Sequence, residues 1–153
     1  MKLVTIFDVD GTIANGDHRK HFIMNKPKNW GAYAKAMPHD APIVEYVDLC
    51  AKFQRQGKNV IFVSGREDGR GREMTVEWLQ RHGIWQMEKS ELYMRPEKNY
   101  INDAIIKRDI LKHLWTLDYE IEMVYDDRNR TCDMWKEMGV PVTQVVDRIT
   151  GDF

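Results

Sequence analysis

A chain of 153 residues has room for one domain with a substantial core, and a composition of 42% hydrophobic and 31% charged residues reads as a soluble, globular chain and not a disordered one. A formal net charge of -1 excludes a globally basic surface, so any nucleic-acid contact has to be local. Cys50 and Cys132 make no disulfide framework and point to a reducing compartment, while no apolar run of about 18 residues or signal-peptide pattern marks a membrane or export route, so the chain reads as cytoplasmic.

The first predicted element is a strand over residues 2–7, "KLVTIF", apolar without alternation as expected when both of its faces are covered. Residues 14–40 follow as a long insertion with little strand character, rich in Gly, Asn and Pro and carrying Trp30 and Tyr33; it reads as a small, partly helical cap beside a functional edge. A helix is predicted over residues 43–55, with Pro42 at its first turn, Val47 and Cys50 inward, and Gly57 after its end. The next strand covers residues 59–63 and stops at Ser64-Gly65. A helix from Gly71 to Arg81 puts Met74, Trp78 and Leu79 on one side, and "ELYMRP" is a short strand. Residues 101–114 are helical, with Ile101, Ala104, Ile105, Ile110, Leu111 and Leu114 expected to face inward. A strand in "EIEMVYDDR", a helix near residues 131–138 and a last strand in "VPVTQVV" complete the chain. Nine Met and five Trp read as core filling.

Strands alternating with helices at this rhythm predict an α/β fold with a parallel sheet of about five strands in a three-layer arrangement. In such sheets ligands bind beyond the carboxyl ends of the strands. Those ends carry Asp8, Asp10 and Thr12 after the first strand, Ser64, Gly65 and Arg66 after the second, and Asp126, Asp127 and Arg128 after the fourth. Asp103 and Lys107 lie one helical turn apart between the third and fourth strands. Each feature alone is an ordinary turn, cap or surface pair. Together they place four acids beside a lysine and arginines, and crowded carboxylates repel unless a cation stands between them. Hard oxygen ligands of this kind suit Mg²⁺.

"FDVDGT", "VSGR", the Lys107 helix and "YDDR", in that order, resemble the four motifs of the haloacid-dehalogenase-like (HAD) phosphohydrolases across essentially the whole chain. The wording is similar in particular to the phosphatase half of bacteriophage polynucleotide kinase-phosphatases, including "VSGRE", Met94-Arg95, "DDR" ahead of Met134-Trp135, and the terminal "GDF" of Gly151 to Phe153. The resemblance implies a Rossmann-like HAD fold with a small cap at about residues 14–40, one domain over residues 1–153, and Mg²⁺ as cofactor. It implies Asp8 as nucleophile, Asp10 as general acid and base, and Lys107 as the group that balances phosphate charge and orients Asp8. Thr12, Ser64 and Gly65 would receive the phosphate, Arg66 and Arg19 would lie near it, and Asp8, Asp126, Asp127 and the Asp10 carbonyl would hold the metal. Asp103 is expected to brace Lys107, Arg128 to pair with an acid of the site or cap the next helix, and Arg70, Arg72 and Arg95 to offer a basic rim. His18 and His21 read as loop residues.

The expected activity is removal of 3′-phosphates from polynucleotide ends through an aspartyl-phosphate. A (deoxy)nucleoside monophosphatase, stacking a base on Trp30 or Tyr33, is the alternative enzyme. A binding or receiver-like module on a degenerate HAD fold is the non-enzymatic one, but it gives no reason for Asp10 two residues after Asp8, and a mutase would need a larger cap. No Gly-x-x-x-x-Gly-Lys-[Ser/Thr] run is present, so the expected protein is a stand-alone phosphatase without a kinase half, in the host cytoplasm if phage-encoded.

Overall fold

Strand β1 (Lys2–Phe7) is the middle of the sheet, and the chain reaches both sides of it by helical crossovers. The computed structural model describes residues 1–146; the "GDF" end of the motif series lies outside the described residues. After β1 come a short strand β2 (Ala14–Asn15), helices α1 (His21–Met24) and α2 (Trp30–Lys35), and strand β3 (Ala41–Pro42). Then follow α3 (Val44–Arg55), β4 (Asn59–Glu67), α4 (Arg70–Arg81), β5 (Glu91–Arg95), α5 (Asp103–Thr116), β6 (Tyr119–Asp126), α6 (Asn129–Glu137) and β7 (Val142–Gln144). Five strands pair in parallel in the order β5-β4-β1-β6-β7.

The continuous apolar runs serve two faces. Because side chains alternate along a strand, Phe7, Val60 and Phe62 face one layer, built on Val47, Cys50, Trp78 and Leu79 of α3 and α4. Val4, Ile6, Ile61 and Val63 face the other, built on Leu111, Leu114, Met134 and Trp135 of α5 and α6. This is the three-layer fold expected from the alternation of elements.

Four details differ from the sequence pattern. Strand β4 does not stop at Ser64-Gly65: its pairing with β5 jumps from Ser64↔Met94 to Glu67↔Arg95, so Gly65 and Arg66 form a bulge. A bulge re-aims the side chain it carries, and here that is Arg66. Ile101 and Ile105 are exposed at 49% and 38%, because α5 starts at Asp103 and turns Ile106, Lys107, Leu111 and Leu114 inward. Pro42 belongs to β3, two residues ahead of α3. The Met and Trp residues divide: Trp78 and Trp135 are fully buried, whereas Met24, Met87, Trp30 and Trp115 are exposed.

Residues 14–40 leave and rejoin the fold through the β2–β3 ribbon, where Ala14 pairs with Pro42 and Asn15 with Ala41. Two hydrogen bonds tie the end of this insertion to α4: Trp78 Nε1 donates to the Asp40 carbonyl at 2.9 Å and Arg81 Nη1 to the Pro38 carbonyl at 2.8 Å.

Candidate active site

The carboxyl end of β1 delivers Asp8, which is 5% exposed. Just beyond it the chain turns at Gly11 (φ +80°), where an added Cβ would lie 2.1 Å from Asp127 Oδ2, so only glycine admits both the turn and the close approach. Thr12, fully buried, donates its hydroxyl to Asp8 Oδ2 at 3.2 Å. From α5, Lys107 Nζ reaches 2.9 Å from Asp8 Oδ1 and 2.9 Å from Asp126 Oδ2. Asp126, at the end of β6, also accepts from Trp135 Nε1 at 3.1 Å and from the Asp127 backbone N–H at 2.8 Å.

Asp8, Asp126 and Asp127 offer oxygens that all lie within 4.8 Å of one another, and Asp127 Oδ1 is buried without a hydrogen-bond partner. Three carboxylates against one ammonium leave this pocket short of positive charge. The consequence shows in the titration of the groups. Burial first, and then repulsion from Asp126 and Asp127, pushes Asp8 well above the usual carboxylate range, although Lys107 pulls the other way. Burial raises Asp127 as well. Burial also opposes the charge on Asp126, but Lys107 overrides it and holds Asp126 below its ordinary value. A hard divalent cation fits this set: it would satisfy the orphaned oxygen and offset the excess charge.

Asp10 turns away from that cluster toward two arginines. Arg66 Nη2 donates to Asp10 Oδ1 at 2.7 Å, and Arg19 Nη2 donates to the same oxygen at 2.8 Å. Burial works against the Asp10 charge, yet Arg66 and then Arg19 lower it to about 2. Both guanidiniums converge in turn on Asp40. Its Oδ1 accepts from Arg19 Nε at 2.8 Å, and its Oδ2 accepts from Arg19 Nη2 at 2.8 Å and Arg66 Nη2 at 3.1 Å. His18 Nε2 lies 2.7 Å from Asp40 Oδ1, Arg66 Nη1 donates to Thr75 at 3.0 Å, and the Arg19 guanidinium lies 4.3 Å from the centre of the Tyr33 ring. Sequence reasoning missed Asp40. One signal was available: it is the single acidic residue between Asp17 and Glu45.

The structure thus brings Asp8, Asp10, Thr12, Arg19, Gly65, Arg66, Lys107, Asp126 and Asp127 to one sheet edge. Ser64 lies beneath them, 1% exposed, its hydroxyl oxygen accepting from the Arg66 backbone at 3.1 Å. Asp103 does not brace Lys107. It pairs with Arg95 Nη2 and, at 2.9 Å, with Arg128 Nη1, because Lys107 is drawn inward to Asp8 and Asp126. Arg95 lines the cavities at the site but is tied down: its Nε donates to the Gly65 carbonyl at 2.9 Å. Arg72 pairs with Asp68 at 2.8 Å, and His21 packs on Phe22 away from the site. Two adjoining cavities open here and share Asp10, Tyr33, Arg95, Asp103 and Arg128, one of about 1070 Å³ and one of about 610 Å³ that reaches Asp8 and Lys107.

Residues 2–153 match the family model of the polynucleotide kinase PNKP phosphatase domain, a HAD group. The chain belongs to this family. The PNKP-type chain is also similar to a chain in the solved structure of a Pnkp1/Rnl/Hen1 complex, with a TM-score of 0.80 and 30% identity over 100% of this chain and 48% of that one. A viral relative, named as a bifunctional polynucleotide kinase/RNA ligase of Autographa californica nuclear polyhedrosis virus, is 24% identical over 88% of this chain and 18% of that protein. The fold is shared with the class C acid phosphatase of Bacillus anthracis with tungstate bound, at a TM-score of 0.65 and 13% identity over 90% of this chain and 62% of that one. The chain therefore spans about half of the first of these relatives and less than a fifth of the viral one. Among the described residues no helix is long and apolar enough to cross a membrane.

Proposed function

We propose that this domain removes 3′-phosphates from polynucleotide ends as a Mg²⁺-dependent phosphomonoesterase working through an aspartyl-phosphate. The observation that carries the proposal is the position of Lys107, 2.9 Å from both Asp8 and Asp126, in a cavity that Arg66, Arg95 and Arg128 also line. A carboxylate oxygen of Asp8 attacks phosphorus while the bond from phosphorus to the sugar oxygen breaks, and Asp10 gives that oxygen a proton. Water then attacks phosphorus, Asp10 takes up its proton, the bond to Asp8 breaks, and inorganic phosphate leaves.

Lys107 aims Asp8 and offsets phosphoryl charge, and Thr12 fixes the second Asp8 oxygen. Arg66 and Arg19 keep Asp10 ionised, which suits the water-activating half; in the first half their donors turn to the phosphoryl oxygens and Asp10 carries the proton. Asp8, Asp126, Asp127 and the Asp10 carbonyl would hold Mg²⁺, which when bound neutralises charge on the transferring group. The 610 Å³ cavity, with Trp30 in its lining, favours a second reading, a (deoxy)nucleoside monophosphatase.

The test is phosphate release from a 3′-phosphorylated oligonucleotide beside free 3′- and 5′-mononucleotides, with Mg²⁺ and with EDTA. Preference for the oligonucleotide, lost in EDTA and in Asp8→Asn, is expected. Preference for a mononucleotide moves the assignment to the second reading, and turnover by Asp8→Asn refutes the mechanism.

A further inference from the structure

Two large aromatic rings stand in solvent at the mouth of the 610 Å³ cavity that contains Asp8 and Lys107: Trp30, 58% exposed, and Tyr100, 82% exposed. Single exposed aromatics are common and need no explanation. These two are held in place by backbone anchors instead of being left on loose loops. Trp30 opens α2, whose first turn is capped by Asn29 accepting from the Ala32 N–H at 3.0 Å, and its ring meets the Tyr33 ring edge-on at 5.7 Å. Tyr100 lies in the connection from β5 to α5. There Arg95 Nη1 donates to the carbonyls on both sides of it, Asn99 at 3.1 Å and Ile101, so the backbone is fixed while the ring projects.

Tyr33, which lines the same cavity, is already engaged, since the Arg19 guanidinium covers it. Trp30 remains with Lys28 Nζ 5.7 Å from its ring centre. A phosphoryl group at Asp8 fills one end of the cavity and leaves the aromatic end open. The size of the cavity lies in the range of small-molecule sites, roughly 300–1,000 Å³. A ligand that joins a phosphate to a flat ring and carries a further anionic link fits all three features: nucleophile, rings and Lys28.

We infer that Trp30 and Tyr100 form a stacking subsite for the base of the terminal, unpaired nucleotide whose phosphate lies at Asp8. The inference rests on the proposed function and deepens it: a base paired in a duplex is not free to leave its stack for these rings, so the preferred substrate is a single-stranded end. Stacking on an aromatic side chain changes binding of a base by roughly 5- to 150-fold.

The experiment compares a single-stranded oligonucleotide bearing a 3′-phosphate with the same oligonucleotide whose terminal nucleotide is abasic. It reads the ratio of their kcat/KM values, and in Asp8→Asn protein the ratio of their Kd values. The wild-type ratio is expected in the range above, to fall toward one in Trp30→Ala and in Tyr100→Ala, and to return in Trp30→Phe and Tyr100→Phe. Trp115→Ala, an exposed Trp of α5 outside both cavities, keeps the wild-type ratio.

A wild-type ratio of one, or alanine variants that weaken both substrates alike, overturns the inference. Turnover of mononucleotides alone refutes the polymer-end assignment, and the ratio of nucleotide to abasic sugar phosphate then decides the subsite. Absence of all turnover with a retained Kd ratio refutes the hydrolytic assignment and supports the subsite.

Discussion

Asp40→Asn keeps the shape of a buried side chain and removes its charge, and the structure gives the consequence. The Asp40 side chain is fully buried, as is that of Arg19, while Arg66 is 2% exposed. Two guanidiniums and two carboxylates, Asp10 and Asp40, balance in this pocket; the substitution leaves both arginines dependent on Asp10. It also turns an amide donor toward a guanidinium that needs an acceptor. Removing one partner of a buried, hydrogen-bonded ion pair costs about 3–5 kcal/mol. For a chain of this length that lowers Tm by roughly 6–20 °C. The arginines lose their aim and keep their charge, so kcat is expected to fall by roughly 10- to 100-fold with a smaller change in KM. The assay pairs thermal unfolding with steady-state phosphate release. Asp17→Asn is the control, because Asp17 pairs only 2.7 Å from Lys20 at a half-exposed site and its loss costs less than about 1 kcal/mol. An Asp40→Asn protein with wild-type Tm and kcat refutes the argument that Asp40 positions the two arginines.

Two further outcomes follow from the same electrostatics. Mg²⁺ at about 100 times its Kd is expected to raise Tm by roughly 5–11 °C, and Asp127→Asn to abolish most of that rise; an equal rise in the variant refutes the assignment of Asp127 to the cation site. His82, packed on Trp78 at 4.2 Å, is held below the ordinary imidazole range by burial first and then by Arg81. A depressed imidazole resists protonation in the folded state, so its contribution is present above the unfolded value of about 6.5 and is lost as pH falls below it. Tm measured from pH 7.5 to pH 5 is therefore expected to fall less steeply in His82→Gln, and an unchanged slope refutes it.

The alternation of apolar runs with helical spacing was sufficient for the three-layer sheet, because strand and helix periodicity are local properties of the chain. The strand-end acids were legible for a related reason: parallel topology sends every strand's carboxyl end to one edge, so residues far apart in the chain can be assigned to one place without knowing a single distance. Partnership was not legible. Arg66 and Asp10 are separated by 56 positions, and Arg19 and Asp40 by 21. With 24 acidic and 23 basic residues available, nothing local says which of them meet. That choice came from the β4 bulge, which aims Arg66 at Asp10, and from the β2–β3 ribbon, which brings Asp40 back against α4.

The same limit explains Asp103, whose i,i+4 spacing to Lys107 was correct and whose partner was not. Once Lys107 is drawn into the buried site, Asp103 is left to Arg95 and Arg128 on the outside of the turn. It explains Ile101 and Tyr100 as well: their exposure follows from a loop pinned by Arg95, a contact that no periodicity encodes. Local periodicity and motif spacing were enough for the fold class and for the edge where the strand-end acids gather. Which charges neutralise one another there depends on the folded packing, because burial removes the water that would otherwise serve every charge equally and forces each to find a particular partner.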